Sequence, residues 1–468
     1  MILQSAIPSA LFNLPHVFAY LVAILVAGNL MIRMKHNNRV QFLFNGAAML
    51  ALLALLMYFM ASGTTATIAG LFSINPFSLY FMAIFTAGLL LVSLIALPYS
   101  RDFGDFALMA SMSLAGMYMV VAANSLITLF IGLELVSIPS VFIVLLSRRS
   151  LEAAAKLFIT ASISIALFSF AVVMFYGATD SFTISHQAQQ GPFIALAAAF
   201  FIASLGVEAS AFPFNVLVPD VYEGSPAYAV AMLGGINKKL GFAALLQVLI
   251  LIFIGLHSAF VIMVFLSVLT MFYGNIVALM QKNFKRMLAY SSIGQAGYMF
   301  IGMATGSAGG ISATLFQIFA HMFIFIGLLA IVAWLESRNR NEVDDMIGLH
   351  QESRFMAFAL TVFLLSLVGL PFTTGFVGKF LLFVSAINAN LAWLALLGII
   401  NSVISIYYYA RPIMAAYTGR AGAAWVKSNT AVLGVIAVCL ALTILFGVYP
   451  QPLISMVNGV GAYLFAHQ

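Results

Sequence analysis

Two lysines, Lys238 and Lys239, stand side by side in GGINKKLGFAALL, within a run from Ala227 to Leu256 that carries no other charge. Placing one lysine deep in hydrocarbon costs roughly 2.5–3.5 kcal/mol, and groups retained there line polar paths or pair with each other. A short set of residues shares this setting. Glu134 lies well inside the apolar run of FIGLELVSIPSV, Glu208 inside LGVEASAFPFNVLVPDVYEG, Lys379 inside SLVGLPFTTGFVGKF and His321 inside FQIFAHMFIFIG. The chemistry open to them is proton exchange. A lysine beside a carboxylate keeps its proton, and one stripped of water and partners releases it. From the residues alone, the reading is a cation or proton translocator working through a chain of buried Glu and Lys.

Each residue also has a plainer reading. Glu134 could be half of a fixed ion pair, Lys379 could snorkel to the surface, and Pro213 could mark a structural kink only. His321 is either a proton relay or a satisfied core histidine. Glu152 and Lys156, at i and i+4 in LEAAAKLF, read equally well as a surface pair.

The elements that position these groups follow from composition. The chain of 468 residues is 64% hydrophobic and 7% charged, where soluble domains carry about 25% charged residues. The bilayer must be its solvent, which predicts an all-α polytopic membrane protein, since lipid admits only helices or closed barrels. Runs long enough to cross are expected to start near residues 16, 40, 76, 105, 125, 152, 191, 226, 258, 286, 310, 354, 390 and 429, fourteen in all. No soluble domain remains, because the longest polar loop runs from Glu336 to Ser353.

Fifteen of the nineteen basic residues fall in odd-numbered loops: Arg33, Lys35, Arg39, Arg101, Arg148, Arg149, Lys282, Lys285, Arg286, Arg338, Arg340, Arg354, Arg411, Arg420 and Lys427. The positive-inside rule then predicts cytoplasmic odd loops and both termini on the outer side of the cell membrane. The net charge of +6 reflects this topology and anionic lipid, not nucleic acid. MILQSAIPSALF has no basic region ahead of its apolar run, so no cleavable signal is expected. The single Cys439 forms no disulfide framework and no iron–sulfur cluster.

Two spans are expected to be broken. In the seventh, the break is predicted between Pro213 and Pro219. The twelfth, Arg354 to Asn388, is too long for one straight crossing, with Gly369, Pro371, Gly375 and Gly378 as break points. Lys379 lies nine residues before Asn388, roughly 14 Å along a helix and so near the midplane. AFPF and GLPF recur five spans apart, and an odd offset inverts the second copy, as in secondary transporters. The expected organisation is three helices over residues 1–104, a first repeat over 105–256 with its break near Pro213, an inverted repeat over 257–417 with its break near Pro371, and a helix and tail over 418–468.

GLELVSIPSVF, EAAAKLF, FPFNVLVPDVYEGSPA, KNFKRMLAYSSIGQAGYMFIG and LVGLPFTTGFVGKF, spread between residues 105 and 410, together resemble subunit N of complex I-type NADH-quinone oxidoreductases. The resemblance implies a fourteen-helix antiporter-like subunit in the membrane arm of a redox-driven proton pump. Electron transfer from NADH or F420H2 to a quinone-type carrier would occur in partner subunits. Those partners would hold the flavin, the iron–sulfur clusters, and the NADH and quinone sites, leaving this chain without cofactor or metal. Glu134 matches the family's acid of the fifth helix, Lys238 the lysine of the eighth and Lys379 the lysine of the broken twelfth. The chain departs from the pattern at Glu208, where a lysine is usual, at Leu217 for a tryptophan, and at Gln295 for a histidine. With a carboxylate at 208, one of Lys238 and Lys239 is expected to neutralise it. The resemblance leaves a monovalent cation/proton antiporter subunit without redox activity as the alternative.

Overall fold

The computed structural model describes residues 14–34, 38–147, 150–184, 191–419 and 429–466. Lys35, Arg148, Arg149, Arg420 and Lys427 therefore lie outside the described residues. In chain order the first helices are α1 (Leu14–Met34), α2 (Asn38–Ser62), α3 (Pro76–Tyr99), α4 (Phe103–Val121), α5 (Leu126–Leu145), α6 (Leu151–Thr179), α7 (Pro192–Glu208), α8 (Val218–Gly224), α9 (Ala227–Met232) and α10 (Lys238–Leu251). There follow α11 (His257–Ala278), α12 (Phe284–Ala304), α13 (Ala308–Glu336), α14 (Leu349–Glu352), α15 (Arg354–Val368), α16 (Thr374–Asn388), α17 (Ala392–Tyr417), α18 (Thr430–Val448) and α19 (Gln451–Ala466). Helices start within two residues of all fourteen positions expected from hydropathy. Among the described residues, ten apolar helical stretches are long enough to cross a membrane, Ala227–Leu251 among them, and the Ala19–Met34 part of α1, α7, α15 and α16 are shorter apolar pieces. The chain is a mostly helical multi-pass membrane protein.

Among the described residues, one hairpin departs from an all-helical architecture. Strands β1 (Ala66–Ile68) and β2 (Phe72–Ile74) form an antiparallel hairpin between α2 and α3. Its turn uses Ala69 and Gly70 with φ of 51° and 70°, the left-handed pair that a tight hairpin requires.

Burial explains the arrangement. α13 is apolar on every side and buried along its hydropathic window, as a helix without a polar face must be. It packs against α3, α9, α12, α15, α16, α18 and α19. α6, by contrast, is mostly exposed on the periphery. The C-terminal segment that hydropathy could not place is α19, laid against α13 and α3 through Leu453, Val457, Val460, Gly461 and Leu464.

Both expected breaks exist, but their positions are corrected. The seventh span stops at Glu208 itself, ahead of both prolines, and α8 resumes at Val218 with Pro219 in its first turn. Proline is suited to a helix start because the N–H it lacks would have no partner there. The intervening loop is held by Ser210 in a left-handed conformation (φ 60°) and by the Phe212 N–H donating to Thr270 Oγ1 of α11 at 3.1 Å. In the twelfth span the break is Gly369–Thr373, with Gly369 at φ 101° and Phe372 at φ 67°. Gly375 and Gly378 are not break points and lie inside α16. A Cβ on Gly375 would sit 2.0 Å from Ser366 O, and one on Gly378 2.0 Å from Gln317 Oε1. These glycines let α16 approach α15 and α13. Thr374 Oγ1 secures the restart by donating to Thr443 O of α18 at 2.6 Å.

The eighth span is also interrupted. Between α9 and α10 lies one π-turn, Leu233–Asn237, immediately ahead of the lysine pair. Such turns insert an extra residue and recur at functional sites. Gly234 and Gly235 permit it here, since a Cβ on either would meet Phe325 or Ile326 of α13 at 2.5 and 2.9 Å.

Candidate functional site

The π-turn puts Lys238 and Lys239 midway along the 25-residue stretch Ala227–Leu251, both buried. They leave the helix in different directions. Lys238 Nζ donates to Ser292 Oγ of α12 at 3.0 Å, and Lys239 Nζ folds back to Gly234 O of the π-turn at 3.0 Å.

Glu208, the last residue of α7, is pressed against α10. A Cβ on Gly241 would fall 2.8 Å from the Glu208 Cβ, so only glycine permits this approach. Glu208 and Lys238 line one cavity of about 80 Å³, together with Ser137, Ser140, Thr160, Tyr222 and Asn237. One water needs roughly 10–15 Å³ of such space and two to four polar partners, so this cavity has room and partners for several. The Glu208 side chain is deep in the protein yet partly accessible from inside the cavity, and Ser164 of α6 faces its carboxylate. The expected neutralisation of Glu208 by a lysine is not an ion pair: among the described residues, neither lysine forms one with it.

His321 lies within electrostatic reach of Lys238, Lys239 and Lys379. It is buried on α13 and stacks on Phe325 with ring centroids 5.3 Å apart. Neither ring nitrogen has a hydrogen-bond partner among the described residues, whereas buried polar groups are ordinarily satisfied by protein or water.

Lys379 does not snorkel. Its Nζ donates to Leu367 O at 2.8 Å and Val368 O at 3.0 Å, both carbonyls freed by the break after α15. It also reaches Ser402 Oγ at 3.2 Å and lies 4.3 Å above the Tyr298 ring. Gln295, where the family usually has histidine, donates to the same Leu367 O at 3.0 Å and accepts from Gln317 Nε2 at 3.2 Å. Ser402 donates to Tyr298 OH, and Asn275 joins Tyr298, Asn401 and Tyr408. Reading residues for charge alone misses this neutral network. The signal was the polar content of SSIGQAGY within an apolar span.

Glu208, Lys238/Lys239, His321 and Lys379 thus come together from α7, α10, α13 and α16: Glu208 and Lys238 share the cavity, and His321 lies within electrostatic reach of both the lysine pair and Lys379. Glu134 stands apart. It is partly exposed, in a lateral groove lined by Met109, Met112, Ile131, Ile138 and Phe142 on the outer face of α4 and α5. It lies within electrostatic range of Glu208 but does not share the Glu208 cavity.

At the basic end of the bundle, Glu152 and Lys156 are more than a local pair. Lys156 bridges Glu152 and Asp220 at 2.7 Å each, and Arg286 bridges Asp220 at 2.7 Å and Glu223 at 2.8 Å. The Asp220 carboxyl is held below the ordinary carboxylate range, first by the Lys156 hydrogen bond, against a smaller opposing effect of burial, and then by Arg286.

Buried ionisable groups beside broken helices in a multi-pass bundle are the mark of ion-translocating membrane subunits. Residues 123–405 match the family described as NADH:quinone oxidoreductase/Mrp antiporter, TM. The chain is 34% identical to NADH-quinone oxidoreductase subunit N of Bdellovibrio bacteriovorus, over 94% of this chain and 96% of that one. It is likewise 34% identical to F(420)H(2) dehydrogenase subunit N of Methanosarcina mazei, over 82% and 83% of the two chains. A chain of respiratory complex I from Thermus thermophilus with bound Aureothin superposes with a TM-score of 0.84 at 26% identity, over 94% of this chain and 98% of that one. The protein belongs to the NADH:quinone oxidoreductase/Mrp antiporter membrane-subunit family.

Proposed function

We propose that this chain is a proton-translocating membrane-arm subunit of an NADH (or F420H2):quinone oxidoreductase, a translocase in which partner subunits carry out electron transfer. The observation that carries the reading is the grouping of buried ionisable side chains: Glu208 and Lys238 on one polar cavity, and His321 within electrostatic reach of Lys238, Lys239 and Lys379. Full-length relatives named for dehydrogenase subunits support the redox-linked reading over a cation/proton antiporter without electron transfer. NADH, flavin, iron–sulfur clusters and quinone are assigned to partners. A single cysteine in the whole chain supports this, since such clusters take several thiolates.

In the mechanism, a proton enters the Glu208 cavity through water and passes to Lys238, whose only hydrogen-bond partner among the described residues is a neutral hydroxyl. Like-charge repulsion between Lys238 and Lys239 favours release to a neighbour. His321, with two unmatched nitrogens, passes the proton toward Lys379 through water between the helices. Lys379 holds it in a cradle of two carbonyls and an aromatic face, and can release it because, among the described residues, no carboxylate is paired with it. Glu134, on the outer face, takes the role of a link to a neighbouring membrane subunit. Residues 105–256 and 257–417 act as inverted halves, each contributing one broken helix. The basic ends of the helices face the cytoplasm, which places both termini outside the cell membrane.

Glu208→Gln tests the reading in the assembled complex reconstituted in vesicles. The expected result is normal assembly with impaired proton pumping. Full pumping by this variant would reject the role of the cavity.

A further inference from the structure

We propose that the ion pairs joining α6, α8 and α12 at the basic end form a latch over the Glu208–Lys238 cavity, which opens to admit water and protons from that side. The proposal rests on reading that cavity as a proton path.

Two spaces lie one above the other along the same pair of helices. The outer one, about 280 Å³ and open, is lined by Glu152, Lys156, Asp220, Glu223 and Arg286. The inner one is the Glu208 cavity, walled by Leu157 and Thr160 of α6 and by Val218, Val221 and Tyr222 of α8. Lys156 and Asp220 immediately precede Leu157 and Val221, so the Lys156–Asp220 pair stands on the partition between the spaces. At the rim the two helices touch, because a Cβ on Gly224 would lie 3.0 Å from the Ala153 Cβ.

The pairing is built to hold α8 from two sides. One Asp220 oxygen is taken by Lys156 of α6 and the other by Arg286 of α12. α8 has seven residues, with the irregular 209–217 segment before it and Ser225–Pro226 after it, so it has a joint at each end. The Lys156, Asp220 and Arg286 side chains are 27–31% exposed. Partly exposed ion pairs are screened and cheap to open, which suits a gate more than a permanent brace.

The experiment reads access rather than pumping. Thr160→Cys is placed in the inner cavity, and Cys439→Ser removes the chain's one native cysteine. The assembled complex in vesicles is treated from the basic side with neutral 2-hydroxyethyl methanethiosulfonate, and modification of residue 160 is followed by mass spectrometry. The latch predicts slow modification at low salt, and a several-fold rise as the salt approaches about 0.5 M, where the Debye length is only a few ångströms. Asp220→Asn should raise the low-salt rate about tenfold and abolish its salt dependence, as expected for a closed state favoured by about 1.4 kcal/mol over the open one. Rates that ignore both salt and Asp220→Asn would overturn the proposal. If Asp220→Asn does not assemble, the salt series on Thr160→Cys decides alone. A flat labelling result beside impaired Glu208→Gln pumping would reject the latch and keep the proton path. The reverse pattern would reject the path.

Discussion

Gly241→Ala isolates geometry from charge. The added methyl would lie 2.7 Å from Ala209 N, 2.8 Å from the Glu208 Cβ and 2.9 Å from the Glu208 carbonyl carbon. Ordinary contact begins near 3.4 Å, and the atoms it meets are backbone and Cβ, not the free end of a flexible chain. α10 and the end of α7 must therefore separate by about 0.7 Å, at an overpacking cost of about 1–3 kcal/mol. Misplacement on this scale can cost proton transfer up to about 10²-fold, because donor and acceptor must stay within reach of the same waters. The assay is protons translocated per electron by the assembled complex in vesicles, compared with Gly177→Ala. Gly177 lies on α6 with nothing near its would-be Cβ, so that change should add about 0.5–1 kcal/mol of helix stability and leave pumping alone. The expected result is an assembled Gly241→Ala complex with a lowered proton-to-electron ratio. Equal ratios in the two variants would refute the claim that Glu208 must sit tightly against α10.

Three further outcomes are expected. Tyr298→Leu removes the aromatic face under Lys379, worth about 0.5–2 kcal/mol, whereas Tyr298→Phe keeps the face and loses only the hydroxyl bonds; pumping should fall further in the former. Gly375→Ala drives a methyl into Ser366 O and should lower the unfolding temperature of the purified complex; no change would show that α15 and α16 can slide apart freely. The depressed Asp220 carboxyl stabilises the folded chain above its ordinary range, about pH 4, and that contribution is lost as pH falls through the lower folded-state value. Asp220→Asn should therefore lower thermal stability by a constant amount between pH 6 and 8, with the difference shrinking on strong acidification.

The helices were legible because lipid demands long uninterrupted apolar runs, and this chain supplies them with little charge to confuse the count. Their breaks were legible only as regions. Pro213 and Pro371 announce a disturbance, but the helices stop and restart where tertiary contacts accept the chain: α7 stops at Glu208 against Gly241, and α16 restarts at Thr374 against α18. The π-turn left no periodic trace beyond GGIN, since its cause is the close approach of α13. Lys238, Lys239 and Lys379 stood out because charge in hydrocarbon is costly. Tyr298 and Ser402 did not, being polar without charge and common in packed helices, and Gln295 stood out only as a departure from the family's histidine. Lys156 was visible, yet its partner Asp220 lies 64 residues away, and only folding brings the two together.

The most direct test of the central claim is proton pumping by the assembled complex carrying Lys238→Ala, measured in vesicles while electron transfer runs. The account predicts a complex that assembles and loses most of its pumping through this chain. Undiminished protons per electron would mean that this grouping of buried side chains conducts nothing, and that this chain is a structural part of the membrane arm.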